Sequence, residues 1–203
     1  VSRFLIPPEP PKRAQIDIKR SVFIATAGHA ETPEAAHAFI QSIRDEFPDA
    51  THNCWAFVAG PPGDSRQIGM SDDGEPHGTA GRPMLNVLLH SHVGEIACVV
   101  TRYYGGTKLG TGGLARAYSG AVSAMLDVLS PIERIPRVRC TTTLPYSLHD
   151  QFKKILDSQE VLVSDETFGQ DIQYALDVPE ERVESLREAL TQLSLGKCEL
   201  ELG

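Results

Sequence analysis

Gly69-Met70-Ser71-Asp72-Asp73-Gly74-Glu75-Pro76-His77-Gly78-Thr79-Ala80-Gly81 opens a stretch that closes with Thr101-Arg102-Tyr103-Tyr104-Gly105-Gly106-Thr107-Lys108-Leu109-Gly110-Thr111-Gly112-Gly113-Leu114-Ala115-Arg116-Ala117-Tyr118-Ser119. Between the two glycine-rich ends, Glu95 to Tyr103 is an almost continuous apolar run, the pattern of a central strand covered on both faces. Each glycine turn leads into a helix. One runs from about Arg82 to Ser91, with Leu85, Leu88 and Leu89 on its buried side, and the other from about Gly112 to Leu129. A central strand between helices predicts an α/β domain. Glycine is favoured where the backbone takes φ > 0 or approaches another group closely. The carboxylates, arginines and tyrosines among these glycines are not spaced like a buried face, so the stretch reads as a site, or as tight packing that demands the same residues.

Upstream, Val1 to about Pro11 is too short and proline-rich for a secretory signal and reads as an arm lying on the surface. Ala14 to Ala27 reads as extended chain. Thr32-Pro33-Glu34 starts a helix: Thr caps, Pro takes the first position and Glu favours the positive dipole end. Ala36, Phe39, Ile40 and Ile43 form its stripe, and Phe47-Pro48 stops it. His52 to Ala59 is a strand, with Arg66–Met70 as a short hairpin partner. Downstream, Ser130 to Pro136 reads as a linker. The remainder has the order βαββαβ, the ferredoxin-like pattern, giving expected domains 1–133 and 137–203. The outward sheet face of the second domain carries Arg139, Thr141, Gln173, Asp177, Glu199 and Glu201. It has no aromatic pair for base stacking, which disfavours an RNA-recognition motif.

The chain has 203 residues, 41% hydrophobic and 23% charged, as in an ordinary soluble globular protein. Net charge is −8, with Lys and Arg against Asp and Glu at 12 to 14 in residues 1–136 and 7 to 13 in residues 137–203. The acidic last third is a poor non-specific binder of phosphate backbones. The four cysteines are scattered and form no C-x-x-C, which points to reduced thiols in a cytoplasmic protein. No apolar run approaches the ~20 residues of a membrane span, and no cofactor or metal signature is present.

Nucleotide-loop readings fail on particular residues. Gly105-x-x-x-x-Gly110 has P-loop glycine spacing, but Thr111-Gly112 stands where Lys-Ser/Thr must follow. Gly110-x-Gly112-x-x-Ala115 fits a degenerate dinucleotide fingerprint, yet Pro131 and the linker follow where a second strand is required. What survives is a helix N-terminus reached through glycines, with free N–H groups that suit an anion. Arg116 sits about a turn into that helix, a cation at the end the dipole disfavours. It is expected to meet an anion: Asp72, Asp73 or Glu75 of the chain itself, or an external phosphate or carboxylate. Arg102 and Tyr104 share a strand face and are expected to join the same site with Gly105, Gly106, Gly110, Gly112 and Gly113. Asp72, Asp73 and Glu75 suit acid–base chemistry or simply a turn. His52 and Cys54 share a strand face as a conceivable thiol–imidazole pair, and His77 is a lone histidine beside the carboxylates.

Three segments together resemble the signature of the IMPACT/YigZ family: Ser71-Asp-Asp-Gly-Glu-Pro-x-Gly-Thr-Ala-Gly81, Val100-x-Arg-Tyr-Tyr-Gly-Gly106 and Leu109-Gly-Thr-Gly-Gly-Leu-x-x-Ala-Tyr118. Lys19-Arg-Ser-Val-Phe23 and His52-Asn-Cys54 resemble its earlier motifs, whereas His77 and Lys108 fall outside the pattern. The resemblance implies an N-terminal α/β domain of the ribosomal-protein and GHMP-kinase type. It also implies a ferredoxin-like C-terminal domain similar to one of elongation factor G. Eukaryotic members regulate translation through a separate RWD domain that has no counterpart in these residues. By domain similarity the resemblance implies a non-enzymatic role near translation, with RNA or a ribosome-associated protein as partner. An enzyme acting on a small phosphorylated or carboxylated substrate is the alternative.

Overall fold

A computed structural model of the chain describes residues 3–203, so the Val1-Ser2 start of the expected arm lies outside the described residues. The chain divides into two compact units, Phe4–Arg134 and Ile135–Gly203, with Arg3 grouped with the second. Both are mixed α/β with antiparallel sheets.

The first unit is built on a five-stranded sheet of β2 (Lys12–Ile18), β3 (Ser21–His29), β4 (His52–Val58), β5 (Ile68–Ser71) and β6 (Ile96–Tyr103), in the order β2-β3-β6-β4-β5. The apolar run predicted to be central is β6, the middle strand. Helix α1 (Pro33–Glu46) packs on one face, while α2 (Gly81–His90) and α3 (Thr111–Val128) pack on the other. Alternation along β6 sorts its side chains accordingly. Ile96, Cys98 and Val100 join Phe23, Cys54, Met84, Leu88 and Met125 under α2 and α3, and Ala97 and Val99 join Ile40 and Phe57 under α1. Burying one such side chain contributes roughly 1.5–3 kcal/mol. The capping reading of α1 matches the geometry, with Thr32 Oγ1 accepting from Ala35 N at 3.1 Å.

Two stretches differ from their reading. The extended chain of residues 14–27 is a hairpin that reverses at Lys19 and Arg20, both with positive φ (48° and 68°). Such a turn normally advertises itself with Asn-Gly, and Lys-Arg gives no such signal. The arm and the linker are not irregular throughout. Phe4–Ile6 (β1) pairs antiparallel with Ile132–Arg134 (β7), which buries Ile6.

In the second unit, β8 (Arg137–Leu144), α4 (His149–Ser158), β9 (Leu162–Phe168), β10 (Ile172–Pro179), α5 (Val183–Ser194) and β11 (Glu201–Leu202) follow in the order βαββαβ. Their sheet order is β11-β8-β10-β9. Cys140, Phe152, Tyr174, Leu176, Leu186 and Leu190 fill the core. The last strand spans only two residues, and Leu202 is exposed at its end.

Candidate functional site

The strand row that faces α2 and α3 ends in polar residues. On β6 it runs Ile96, Cys98, Val100 and then Arg102; on β4 it runs Val58, Ala56, Cys54 and then His52. Register places His52 directly opposite Arg102 and Cys54 opposite Val100. A guanidinium and an imidazole therefore occupy the end of an otherwise apolar layer, and period-two alternation carries them there.

Glu75 enters this end from the turn before α2. Its Oε1 accepts from Arg102 Nη1, with both side chains more than nine-tenths buried, and from Tyr118 Oη of α3 at 2.8 Å. Among the described residues its Oε2 accepts no hydrogen bond, and it faces His52 Nε2 at 3.8 Å. His52 Nδ1 lies 2.8 Å from the Asp73 carbonyl oxygen. That oxygen can only accept, so Nδ1 carries the proton and Nε2 is the free acceptor of the neutral ring. Arg102 packs over the Phe23 and Tyr104 rings at 5.4 and 5.5 Å, and its Nε is buried without a hydrogen-bond partner.

The other two candidate carboxylates hold the turn together. Asp72 accepts from Gly78 N, Ala80 N and Gly81 N at 2.7, 3.0 and 2.8 Å. Burial alone would raise its pKa, but the three N–H donors outweigh it and hold the carboxyl below its ordinary range. Asp73 binds Arg44 Nη2 at 2.7 Å and accepts from Asn53 N at 2.6 Å. Of the three, Glu75 is the carboxylate that lines the cleft.

Opposite Glu75 stands the N-terminus of α3. Gly110 is its cap, at φ 73° with no side-chain cap, and a Cβ there would meet nothing within 4 Å. The first N–H groups, of Thr111, Gly112 and Gly113, point away from the helix and have no intrahelical acceptor. His52, Glu75, Arg102, Tyr104, Lys108 and Thr111 line one cavity of about 520 Å³ with Gly110. Tyr104 is 47% exposed at its lip. Gly105 serves packing: a Cβ there would fall 2.0 Å from the Arg20 backbone. Gly106 serves conformation, at φ 82° in open space.

Arg116 lies elsewhere. It is exposed, and it lines a shallow depression between α2 and α3 with Asn86 and His90. None of Asp72, Asp73 and Glu75 answers it, and no other described residue forms an ion pair with it. The three carboxylates are engaged by other groups, and an exposed guanidinium is hydrated by solvent. Cys54 does not pair with His52. Its Sγ lies 3.0 Å from the Asp72 carbonyl and 3.3 Å from Tyr118 Oη, and burial pushes the thiol pKa upward. His77 projects fully into solvent, 3.8 Å from Asp72. Sequence reasoning passed over Tyr118, whose signal is a phenol on the otherwise apolar face of α3. Lys108, outside the family motif but expected beside Arg102 at an anion-contacting cleft, borders that cleft. Among the described residues no cluster of three metal-ligating side chains occurs, and no helix is long and apolar enough to cross a membrane.

Residues 19–126 match the Impact N-terminal domain, and residues 142–197 match a family described as a domain of unknown function (DUF1949). The chain is 41% identical to the IMPACT family member YigZ of Escherichia coli K12, covering 97% of this chain and 96% of that one. It is 40% identical to an IMPACT family member of Haemophilus influenzae, over 95% of each. Identity to YvyE of Bacillus subtilis is 35%, over 93% of this chain and 86% of the relative. A crystal structure described as a hypothetical protein superposes with a TM-score of 0.71 at 40% identity, covering 99% of this chain and 97% of that one. The residues that build the cleft, from His52 through Glu75 and Arg102 to Tyr118, all fall inside the matched N-terminal segment, and the chain belongs to the IMPACT family.

Proposed function

We propose that the chain is a non-enzymatic binding protein associated with RNA or the translation machinery, and that it grips a phosphate-bearing group in the cleft at the start of α3. One observation carries this reading: Arg102, Lys108 and the uncapped first turn of α3 border a single cavity. Helix N-termini and basic side chains together form anion sites. The net charge of −8 favours one phosphate group over a long backbone track. The βαββαβ order of the second unit, the pattern of ferredoxin-like domains such as one in elongation factor G, supports a translation setting by analogy.

Filter binding of a short 5′-phosphorylated RNA across a salt series tests it. Lys108→Ala is expected to weaken binding and to lower the magnitude of the log–log salt slope by about 0.7, the value for one phosphate on a single strand. Arg116→Ala, outside the cleft, is expected to change neither. Binding that ignores salt and Lys108 would remove the reading.

The geometry of His52 favours a second reading, an enzyme acting on a small phosphorylated or carboxylated substrate. Nδ1 is held by a backbone carbonyl and Nε2 is free toward the cleft, the arrangement of an oriented general base. Turnover of a phosphate- or carboxylate-ester panel, lost in His52→Gln, would favour it over binding alone.

A further inference from the structure

We propose that the cleft recognises a ribonucleotide unit with a free 2′,3′-diol: the phosphate at the start of α3, the ribose hydroxyls on Glu75 and His52, and the base against Tyr104. The proposal rests on the reading that the cleft holds a phosphate-bearing group, and it names the rest of the ligand.

The cleft is not uniformly a donor surface. On one side stand the α3 N–H groups and Lys108, which suit an anion. On the floor stand two acceptors. Among the described residues none donates a hydrogen bond to Glu75 Oε2, although its side chain is only 4% exposed, and His52 Nε2 lies 3.8 Å from it. In the neutral ring His52 keeps its proton on Nδ1 for the Asp73 carbonyl, and then neither atom donates to the other. A simple phosphate or carboxylate would satisfy the donors and offer no proton to either acceptor. A single hydroxyl has one proton and can satisfy one of them. Two hydroxyls on neighbouring carbons give each acceptor its own proton, and a carboxylate on a ribose hydroxyl is the contact that nucleotide folds use repeatedly.

The third element is aromatic. Tyr104 stands at the lip, 47% exposed, with the Arg102 guanidinium carbon 5.5 Å from its ring centroid. Stacking on an exposed aromatic is the usual way a protein holds an unpaired base. A cavity of about 520 Å³ lies within the range of small-ligand sites. Phosphate donors, a pair of acceptors and a stacking ring thus surround one space, and a nucleoside phosphate presents a matching group to each. The same unit occurs as a free 5′-mononucleotide and as the 3′-terminal residue of an RNA.

Isothermal titration of the full chain against AMP, 2′-deoxy-AMP, ribose 5-phosphate and inorganic phosphate tests the proposal. AMP is expected to bind at least about tenfold more tightly than 2′-deoxy-AMP, because a site built around a hydroxyl rejects the analogue lacking it. Tyr104→Ala, a change at an exposed position, is expected to weaken AMP about tenfold and to leave ribose 5-phosphate unaffected. Equal affinity for AMP and its deoxy form, or no effect of Tyr104→Ala on AMP, would overturn the proposal while leaving the phosphate-binding reading intact. Failure of every phosphate-bearing probe would overturn both. Two RNA hexamers, one ending in a 3′-hydroxyl and one in a 3′-phosphate, separate the sources. A preference for the hydroxyl end over AMP supports the proposal with an RNA terminus as ligand, and a preference for AMP supports it with a free nucleotide. A preference for the 3′-phosphate end contradicts the diol.

Discussion

Arg102 and Glu75 form an ion pair at the end of the central strand with side-chain exposures of 7% and 4%. Desolvating two charges costs several kcal/mol, and their attraction offsets that only with good geometry and further hydrogen bonds. Tyr118 supplies one such bond to Glu75, while Arg102 Nε remains unpaired. Glu75→Ala should therefore destabilise the N-terminal unit by about 3–5 kcal/mol, because it leaves a buried guanidinium without a counter-charge. Urea denaturation of Glu75→Ala beside the double variant Glu75→Leu/Arg102→Met checks this. The double variant is expected to recover most of the loss, as apolar replacements of buried pairs commonly do.

The sequence was most legible where patterns are local and periodic. The run Ile96 to Val100 marked a strand buried on both faces, and Thr32-Pro33-Glu34 marked the start of α1. The hairpin at Lys19-Arg20 was illegible because positive φ falls there on residues that carry no turn signal. Within the site, the roles of Asp72, Asp73 and Glu75 could not be separated from their adjacency. That separation depends on which backbone amides lie within reach, and those belong to the start of α2 and to β4. Arg116 was read from the helix dipole alone, a matter of a few tenths of a kcal/mol up to about 1, which water can settle at an exposed position. His52 gained meaning through cross-strand register with Arg102, a long-range relation that no spacing in the chain announces.

Asp72 makes the turn before α2 sensitive to acid. Its folded pKa lies below the ordinary value, so its contribution is present above the unfolded pKa of about 3.9 and is lost as pH falls through the lower folded value. Asp72→Asn should cost about 1–2 kcal/mol at pH 7 through weaker bonds to the three amides. The gap to the parent protein should narrow as pH falls below the ordinary carboxylate range and Asp72 itself becomes protonated. Thermal midpoints of both proteins between pH 2 and 7 test this, and a gap that stays constant would show that the carboxylate charge is irrelevant.

The four cysteines are buried and unpaired. Burial pushes Cys98 up to about 12 and raises Cys54 and Cys140 as well. At pH 8 Cys98 then holds roughly a thousandfold less thiolate than a free cysteine, and the thiolate is the reactive form. Titration with a thiol-reactive chromophore should show no fast phase in the native protein and four reactive groups per chain once guanidinium unfolds it. A fast native phase would mean that the core layer beneath α2 and α3, or that of the second unit, opens on the timescale of the assay.

Gly105 and Gly106 are adjacent but are needed for different reasons, and alanine tells them apart. At Gly105 a Cβ would meet the Arg20 carbonyl carbon and oxygen at 2.0 Å and Ser21 N at 2.4 Å. These are backbone atoms of the hairpin, fixed by the β2–β3 and β3–β6 ladders, so they cannot rotate aside as a flexible side chain would. Overpacking of this kind costs about 1–3 kcal/mol and sometimes more, and Gly105→Ala is expected at the upper end. At Gly106 the space is open and the residue takes φ 82°, so Gly106→Ala meets only the left-handed penalty of about 1–2 kcal/mol. The two variants should also differ in what they disturb. Gly105→Ala pushes on Arg20 and Ser21, and Ser21 Oγ accepts from Gly105 N at 3.1 Å, so amide exchange should rise along β3. Gly106→Ala should confine its effect to the loop carrying Lys108. Hydrogen exchange resolved by segment distinguishes these outcomes, and equal perturbation of β3 by both variants would show that the close approach at Gly105 is not what the glycine provides.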